Sequence, residues 1–158
     1  MKLKQIDIKG LRGIKESLSL ELNGKSIVIY GDNGTGKSSI SDAIEWFYTN
    51  KVAHLSGIEI DLKDALRNAS LEDEFVSEVA LNFIKKSDFD TGKTLFYKRE
   101  KLEQDFTVKS DPIRDYIIQS KEENLLLRYK SLNDFVENTK GDKLKYLSDI
   151  IGFSEVTK

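Results

Sequence analysis

Eight consecutive residues carry the clearest chemistry in the chain. Gly31-Asp32-Asn33-Gly34-Thr35-Gly36-Lys37-Ser38 fits the pattern G-x-x-x-x-G-K-[ST] in full. Glycines adopt backbone angles that other residues avoid, so successive N–H groups can turn inward around a phosphate. A helix starting near Lys37 adds the positive end of its dipole. Lys37 supplies a mobile positive charge for the β- and γ-phosphates of a nucleotide. Ser38 offers a hydroxyl to the Mg²⁺ that bridges them. Asn33, Gly34, Thr35 and Gly36 are the backbone cradle, and Ser39 follows as a further contact. Asp32 and Asn33 also suit the loop itself, because both tolerate left-handed geometry.

A strand must deliver such a loop and a helix must leave it. Ile27, Val28, Ile29 and Tyr30 form a short apolar run, the pattern of a strand buried on both faces. Ile40, Ala43, Ile44 and Phe47 then recur with helical spacing. Upstream, Lys4 to Lys9 places Ile6 and Ile8 on one face of a strand, broken by Gly10, Arg12 and Gly13. Leu18, Leu20 and Leu22 alternate with polar residues, and Asn23-Gly24 marks a turn. Downstream, Leu62 to Asn68 suits a short helix. Phe75, Val79, Leu81 and Phe83 suit a strand, Asp88 to Lys93 a turn, Thr94 to Arg99 its return strand, and Phe106 and Val108 a third. Beyond Pro112 the spacing of Leu125, Leu132, Phe135, Leu144, Leu147 and Ile151 is helical. The expected fold class is α/β with an added antiparallel β-meander. Its parts are strands and loop over 1–50, the meander over about 70–110, and a helical part over about 111–158.

Composition narrows the alternatives. The 158 residues hold 25 Lys+Arg, 27 Asp+Glu, one His and no Cys. Cysteine chemistry and disulfide scaffolds are excluded, and so are most His-built metal sites. A net charge of -2 leaves any nucleic-acid contact to a local patch. No apolar run approaches the ~20 residues of a membrane span, and the N-terminus lacks an apolar leader. A cytoplasmic protein with no membrane contact is expected. Asn50-Lys51-Val52-Ala53 begins like a guanine-specificity motif but lacks its aspartate. A small-molecule kinase usually opens on the phosphate-loop strand, whereas here two strands precede it and a meander follows.

These features resemble the SMC-like class of ABC ATPases, which includes the SMC proteins, RecF, RecN and the zinc-hook repair ATPase. The resemblance rests on Leu3 to Gly13, the alternating leucines, and above all the run from Ile27 to Ile44. It extends to Ile117-Ile118-Gln119, similar to the family's Q-loop, and to Asp142–Phe153, similar to the helix before its coiled coil. It implies a P-loop NTPase fold, the N-terminal lobe of an ATPase head, with ATP and Mg²⁺ as ligands. It implies that Gln119 completes the Mg²⁺ shell and faces the attacking water, so that Lys37 and Gln119 serve catalysis and Ser38 and Gln119 the metal. Arg12 stands where the family carries a basic residue that approaches the phosphates. Partners implied are the C-terminal lobe of the same protein, a second head in a homodimer, and DNA. The output would be DNA repair, DNA maintenance or anti-phage defence.

The departures are equally definite. No four apolar residues are followed by Asp-Glu, the family's water-orienting pair; Tyr146-Leu147-Ser148-Asp149 lies on a helical pattern. Leu55-Ser56-Gly57 lacks the second glycine of the signature motif. This chain by itself is therefore expected to bind nucleotide weakly and turn it over slowly or not at all. A stand-alone phosphotransferase using Arg114 or Arg128, and a nucleotide-sensing module without turnover, are the rival expectations. His54 is a loop histidine, with the base or DNA as its other possible neighbours. Trp46 is expected at an interface with the other lobe. Lys85, Lys86, Lys93, Lys98 and Arg99 form either a basic meander edge facing DNA or a lysine-protected sheet edge.

Overall fold

The computed structural model describes residues 1–55, 61–84, 91–98, 100–121, 136–137, 139 and 141–144. The chain divides into two compact units, Met1–Tyr116 and Ile117–Lys158.

The first unit is built on one antiparallel sheet. Its strands are β1 (Leu3–Leu11), β2 (Ile14–Glu21), β3 (Ser77–Phe83), β4 (Thr91–Lys98) and β5 (Lys101–Val108), in the spatial order β2-β1-β3-β4-β5. Helix α1 spans Lys37–Thr49, α2 spans Leu62–Leu66 and α3 spans Asp111–Ser120, with a 3-10 turn at Ala53–Leu55. Period-two alternation puts Ile6 and Ile8 of β1 and Val79 and Leu81 of β3 into the core, with Ala43, Trp46 and Phe47 of α1 also buried. Ile8 pairs with Leu18 on one side and Val79 on the other. The expected meander is thus continuous with the N-terminal hairpin: β3 pairs along β1, and the two form one sheet. The turn at Asn23 and Gly24 is as expected, both in left-handed geometry, with the amide of Gly24 donating to Leu3 O at 2.7 Å.

Four expectations are corrected. Ile27 to Tyr30 is not a buried strand. It has no ladder partner among the described residues, and Val28 and Tyr30 are 87% and 92% exposed. A continuous apolar run signals burial on both faces only when neighbouring strands lie beside it, and every described ladder of this sheet is antiparallel and lies elsewhere. The return strand also starts earlier, at Thr91, so Thr91 to Lys93 belong to β4 and not to a turn. Lys93 is not an edge cation. It is 1% exposed, and its ammonium donates to Trp46 O at 2.5 Å and to the Asn50 side chain. A lysine enters a core when carbonyl dipoles at a helix C-terminus meet its charge, which the last turn of α1 provides.

Trp46 likewise faces inward. It is fully buried, with the Lys93 ammonium 4.5 Å from its ring centroid, so an exposed role at an interface is overturned. Tyr48 packs edge-on against Phe47 and Tyr116. Burial raises the Tyr48 phenol above its ordinary value, and Tyr116 adds to the shift. Pro112 sits in the first turn of α3, where its missing N–H leaves no gap in the helix. In the second unit the described residues are the end of α3 and short pieces at 136–144. Lys85, Lys86, Arg99, Ser56, Gly57, Arg128, the apolar positions 125, 132, 135, 147 and 151, and the stretch from Tyr146 to Phe153 lie outside the described residues.

Candidate nucleotide site

The loop from Gly31 to Ser38 has the backbone that its glycines foretold. Gly34 and Gly36 stand at φ 86° and 87°, in the left-handed region. Gly36 is the N-cap of α1 and offers no side chain to its first turn, which also holds no acidic residue. The amides at the head of α1 therefore keep their positive end uncompensated by any carboxylate of the first turn. Asn33, Gly34, Thr35 and Ser38 are exposed around the loop, so the hydroxyl of Ser38 meets solvent beside the helix start.

Lys37 folds over its own loop. Its ammonium donates to Gly31 O at 2.7 Å and to Asp32 O at 2.5 Å, with Thr35 Oγ1 at 3.5 Å. Thr35 in turn donates from Oγ1 to Asp32 O at 2.8 Å. The cation is thus held inside the curve of the loop, close to the backbone that would surround an anion. This donor set fits a magnesium nucleotide. It comprises the backbone amides of a glycine-rich loop, one flexible ammonium for phosphate oxygens, and one exposed hydroxyl for a cation that keeps most of its waters.

The turn between β1 and β2 is strapped to the loop from beneath. The amide of Gly13 donates to Ser39 Oγ at 3.0 Å, so the Ser39 hydroxyl, buried at 6% exposure, is engaged as an acceptor there. A Cβ on Gly13 would stand 3.2 Å from Ser39 Oγ and 3.3 Å from Gly36 Cα. A side chain there would force Ser39 or Gly36 to give way by a few tenths of an ångström. Arg12, at φ 51°, receives Asn68 Nδ2 on its carbonyl at 2.5 Å and donates its amide to Leu66 O at 2.8 Å. Its guanidinium lies against Asp42, Nε to Oδ2 at 3.3 Å, and donates from Nη1 to Ala65 O at 3.2 Å.

The structure thus brings the loop residues Asn33 to Ser39 and the Arg12 turn together in the first unit. Gln119 belongs to the second unit, exposed near the end of α3. His54 is an exposed residue of the 3-10 turn, as expected of a loop histidine. Its Nε2 lies 3.7 Å from Asp42 Oδ2. Two residues escaped the sequence reading. Asp42 was visible only as part of the motif run, yet it lies with Ser39, Ala43 and Trp46 at helical spacing on the buried stripe of α1. A carboxylate in such a stripe requires a cation beside it, which is the signal that would have found Arg12. Gly13 gave no signal beyond breaking a strand, because its partner is 23 residues away in sequence.

A family model described as AAA domain matches residues 5–155. The chain belongs to this AAA domain family. Among curated proteins it is similar to the chromosome partition protein Smc of Mesomycoplasma hyorhinis, 27% identical over 120 residues, covering 72% of this chain and 12% of that protein. It is also similar to Smc of Clostridium kluyveri, 46% identical over 46 residues, or 29% of this chain and 4% of the relative. Smc of Desulfitobacterium hafniense is 43% identical over 44 residues, 28% and 4% respectively. The chain spans a small fraction of the length of these relatives. Together they bear out its resemblance to the N-terminal region of SMC-like ATPases. Among the described residues, no helix of this AAA domain is long and apolar enough to cross a membrane.

Proposed function

We propose that this AAA domain binds ATP with Mg²⁺ as the nucleotide-holding part of a cytoplasmic SMC-like ATPase serving DNA maintenance. The observation that carries the reading is the loop of Gly31 to Ser38, with left-handed Gly34 and Gly36 and the Lys37 ammonium inside its curve. The amides of Asn33 to Gly36 cradle phosphate. Lys37 exchanges loop carbonyls for phosphate oxygens, a trade of dipoles for a full negative charge that favours binding. Ser38 would hold Mg²⁺ through its exposed hydroxyl, and the ion would supply positive charge against the phosphates. Arg12 contributes a second cation from the strapped turn. Gln119 is assigned to the Mg²⁺ and water side by the resemblance.

Turnover needs a carboxylate to orient water. The sequence contains no apolar run ending in Asp-Glu, so that group is assigned to another segment or chain. The exposed run Ile27 to Tyr30 supports this: an apolar strand-forming stretch with no ladder partner among the described residues suits a strand from a C-terminal lobe. Two such heads would then close on ATP and reopen on hydrolysis, with DNA as the target that the Smc relatives suggest. The buried Lys93 removes one cation from the basic meander edge that would face DNA.

Titration of MgATP tests the reading. The chain should bind it, release phosphate slowly, and lose about a hundredfold or more in affinity with Lys37→Ala, the scale of two charge-assisted hydrogen bonds. Unchanged affinity in Lys37→Ala would remove the loop from the argument. Rapid phosphoryl transfer to a small molecule would replace the ATPase reading with a phosphotransferase.

A further inference from the structure

Asp42 is the one acidic residue of α1 that is completely buried, and it follows Ser38 by one helical turn. Burying a carboxylate is costly unless cations face it. Two groups do. Arg12 Nε and His54 Nε2 approach the same oxygen, Oδ2, at 3.3 and 3.7 Å. The Arg12 contact is an ion pair and not a well-aligned hydrogen bond, because Oδ2 accepts no hydrogen bond of good geometry.

The rest of Arg12 is held just as closely. Its amide is tied to Leu66 O, its carbonyl to Asn68, its Nη1 to Ala65 O, and its neighbour Gly13 to Ser39 and Gly36. Of its donors, Nη2 makes no hydrogen bond among the described residues, and the side chain is 33% exposed. A single carboxylate takes up at most two of a guanidinium's five N–H groups, so an arginine that serves as a counterion still has donors left. One held by its inner edge beside an anion-cradling loop keeps its outer edge for an anion.

We propose that Asp42 is a positioning residue: from the buried face of the P-loop helix it grips the inner edge of the Arg12 guanidinium, leaving Nη2 available to a phosphate oxygen of the bound nucleotide. The proposal rests on the nucleotide reading above. Asp42 touches no phosphate itself. It acts through Arg12, and because α1 also carries Lys37 and Ser38, the helix moves all three contacts as one body.

A double-mutant cycle decides it, with MgATP affinity measured for wild type, Arg12→Ala, Asp42→Asn and the double variant, and melting temperature followed beside it. Each single change should weaken binding about tenfold, the size of one hydrogen bond to a charged group. The double variant should bind no more weakly than Arg12→Ala. A double variant weakened by the product of the two factors would overturn the proposal, as would wild-type affinity in Asp42→Asn. Should Asn at this position unfold the chain, Arg12→Lys gives the answer independently. Lysine can satisfy Asp42 but cannot present a second donor from the same plane, so affinity should fall with melting temperature unchanged. Unchanged affinity would overturn the proposal. Failure of the nucleotide reading gives a different pattern, in which wild type and Lys37→Ala bind MgATP equally poorly, and the role of Asp42 falls with it.

Discussion

The ammonium of Lys93 on β4 caps the last turn of α1, donating to the carbonyl oxygen of Trp46 at 2.5 Å while lying 4.5 Å from the centre of the same residue's ring. One strand residue thereby fixes the far end of the helix whose near end forms the nucleotide loop. Lys93→Ala removes that cation and leaves a cavity beside the buried Trp46. Unfolding free energy should fall by about 3 kcal/mol. Lys93→Met keeps the volume without the charge and should cost clearly less. Chemical denaturation of the two variants checks the order; equal losses would mean that the charge, and not the packing, carries the effect.

Gly13→Ala tests the strap under the loop. The added Cβ would stand 3.2 to 3.3 Å from Ser39 Oγ and Gly36 Cα, close enough that one main chain must shift by a few tenths of an ångström. A stability loss of about 1 to 2 kcal/mol is expected. MgATP affinity should fall as well, because the loop is displaced. Nucleotide titration alongside thermal melting separates the two effects.

Gly36→Ala tests backbone conformation alone. Nothing approaches its ideal Cβ closer than 3.6 Å, so there is room for the methyl group. The left-handed φ of 87° is what an alanine resists, at a cost of about 1 to 2 kcal/mol. The loop should relax away from this conformation and MgATP binding should weaken. Binding as tight as wild type would show that the left-handed N-cap is dispensable.

Tyr48 sets an alkaline limit. Its phenol is raised above the ordinary value of 10.0 by burial first, and by Tyr116 second. In the unfolded chain the phenol ionises at its ordinary pKa while the folded protein still holds it neutral. The stability this represents is fully present below pH about 10 and is lost as pH rises beyond it. Melting temperature followed from pH 8 to 11 should drop less steeply in Tyr48→Phe than in wild type. Parallel curves would exclude Tyr48 as the source.

Val28→Lys tests the exposed apolar run. Val28 is 87% exposed, so a lysine there should change stability by less than about 0.5 kcal/mol. Light scattering of concentrated samples should show less self-association, since a charge in an exposed apolar run opposes its pairing with another chain. A large loss of stability would instead mean that the run is packed in solution.

Much of the first unit was legible because its signals are local. Alternating Ile6 and Ile8, Leu18 and Leu20, and Val79 and Leu81 mark strands through the pleat. Asn23 and Gly24 mark a turn through their tolerance of positive φ. The loop of Gly31 to Ser38 is legible for the same reason, since glycine geometry, a helix start and a lysine lie within eight adjacent residues. Ile27 to Tyr30 shows the limit. Its residues specify an apolar strand, but whether a strand is buried depends on what lies beside it, which the run itself does not encode.

The amino-acid order by itself determined the glycine-rich loop, the strand-forming segments and the helix that leaves the loop, because each rests on contacts within a few residues. Tertiary structure alone decided that the meander extends the N-terminal hairpin, that Lys93 is buried under Trp46, and that Gly13 lies against Gly36. It alone joined Arg12 to Asp42, across 30 residues of sequence. Burial of a charge depends on a partner brought by the fold, and no spacing along the chain records that partner until the sheet and helix pack.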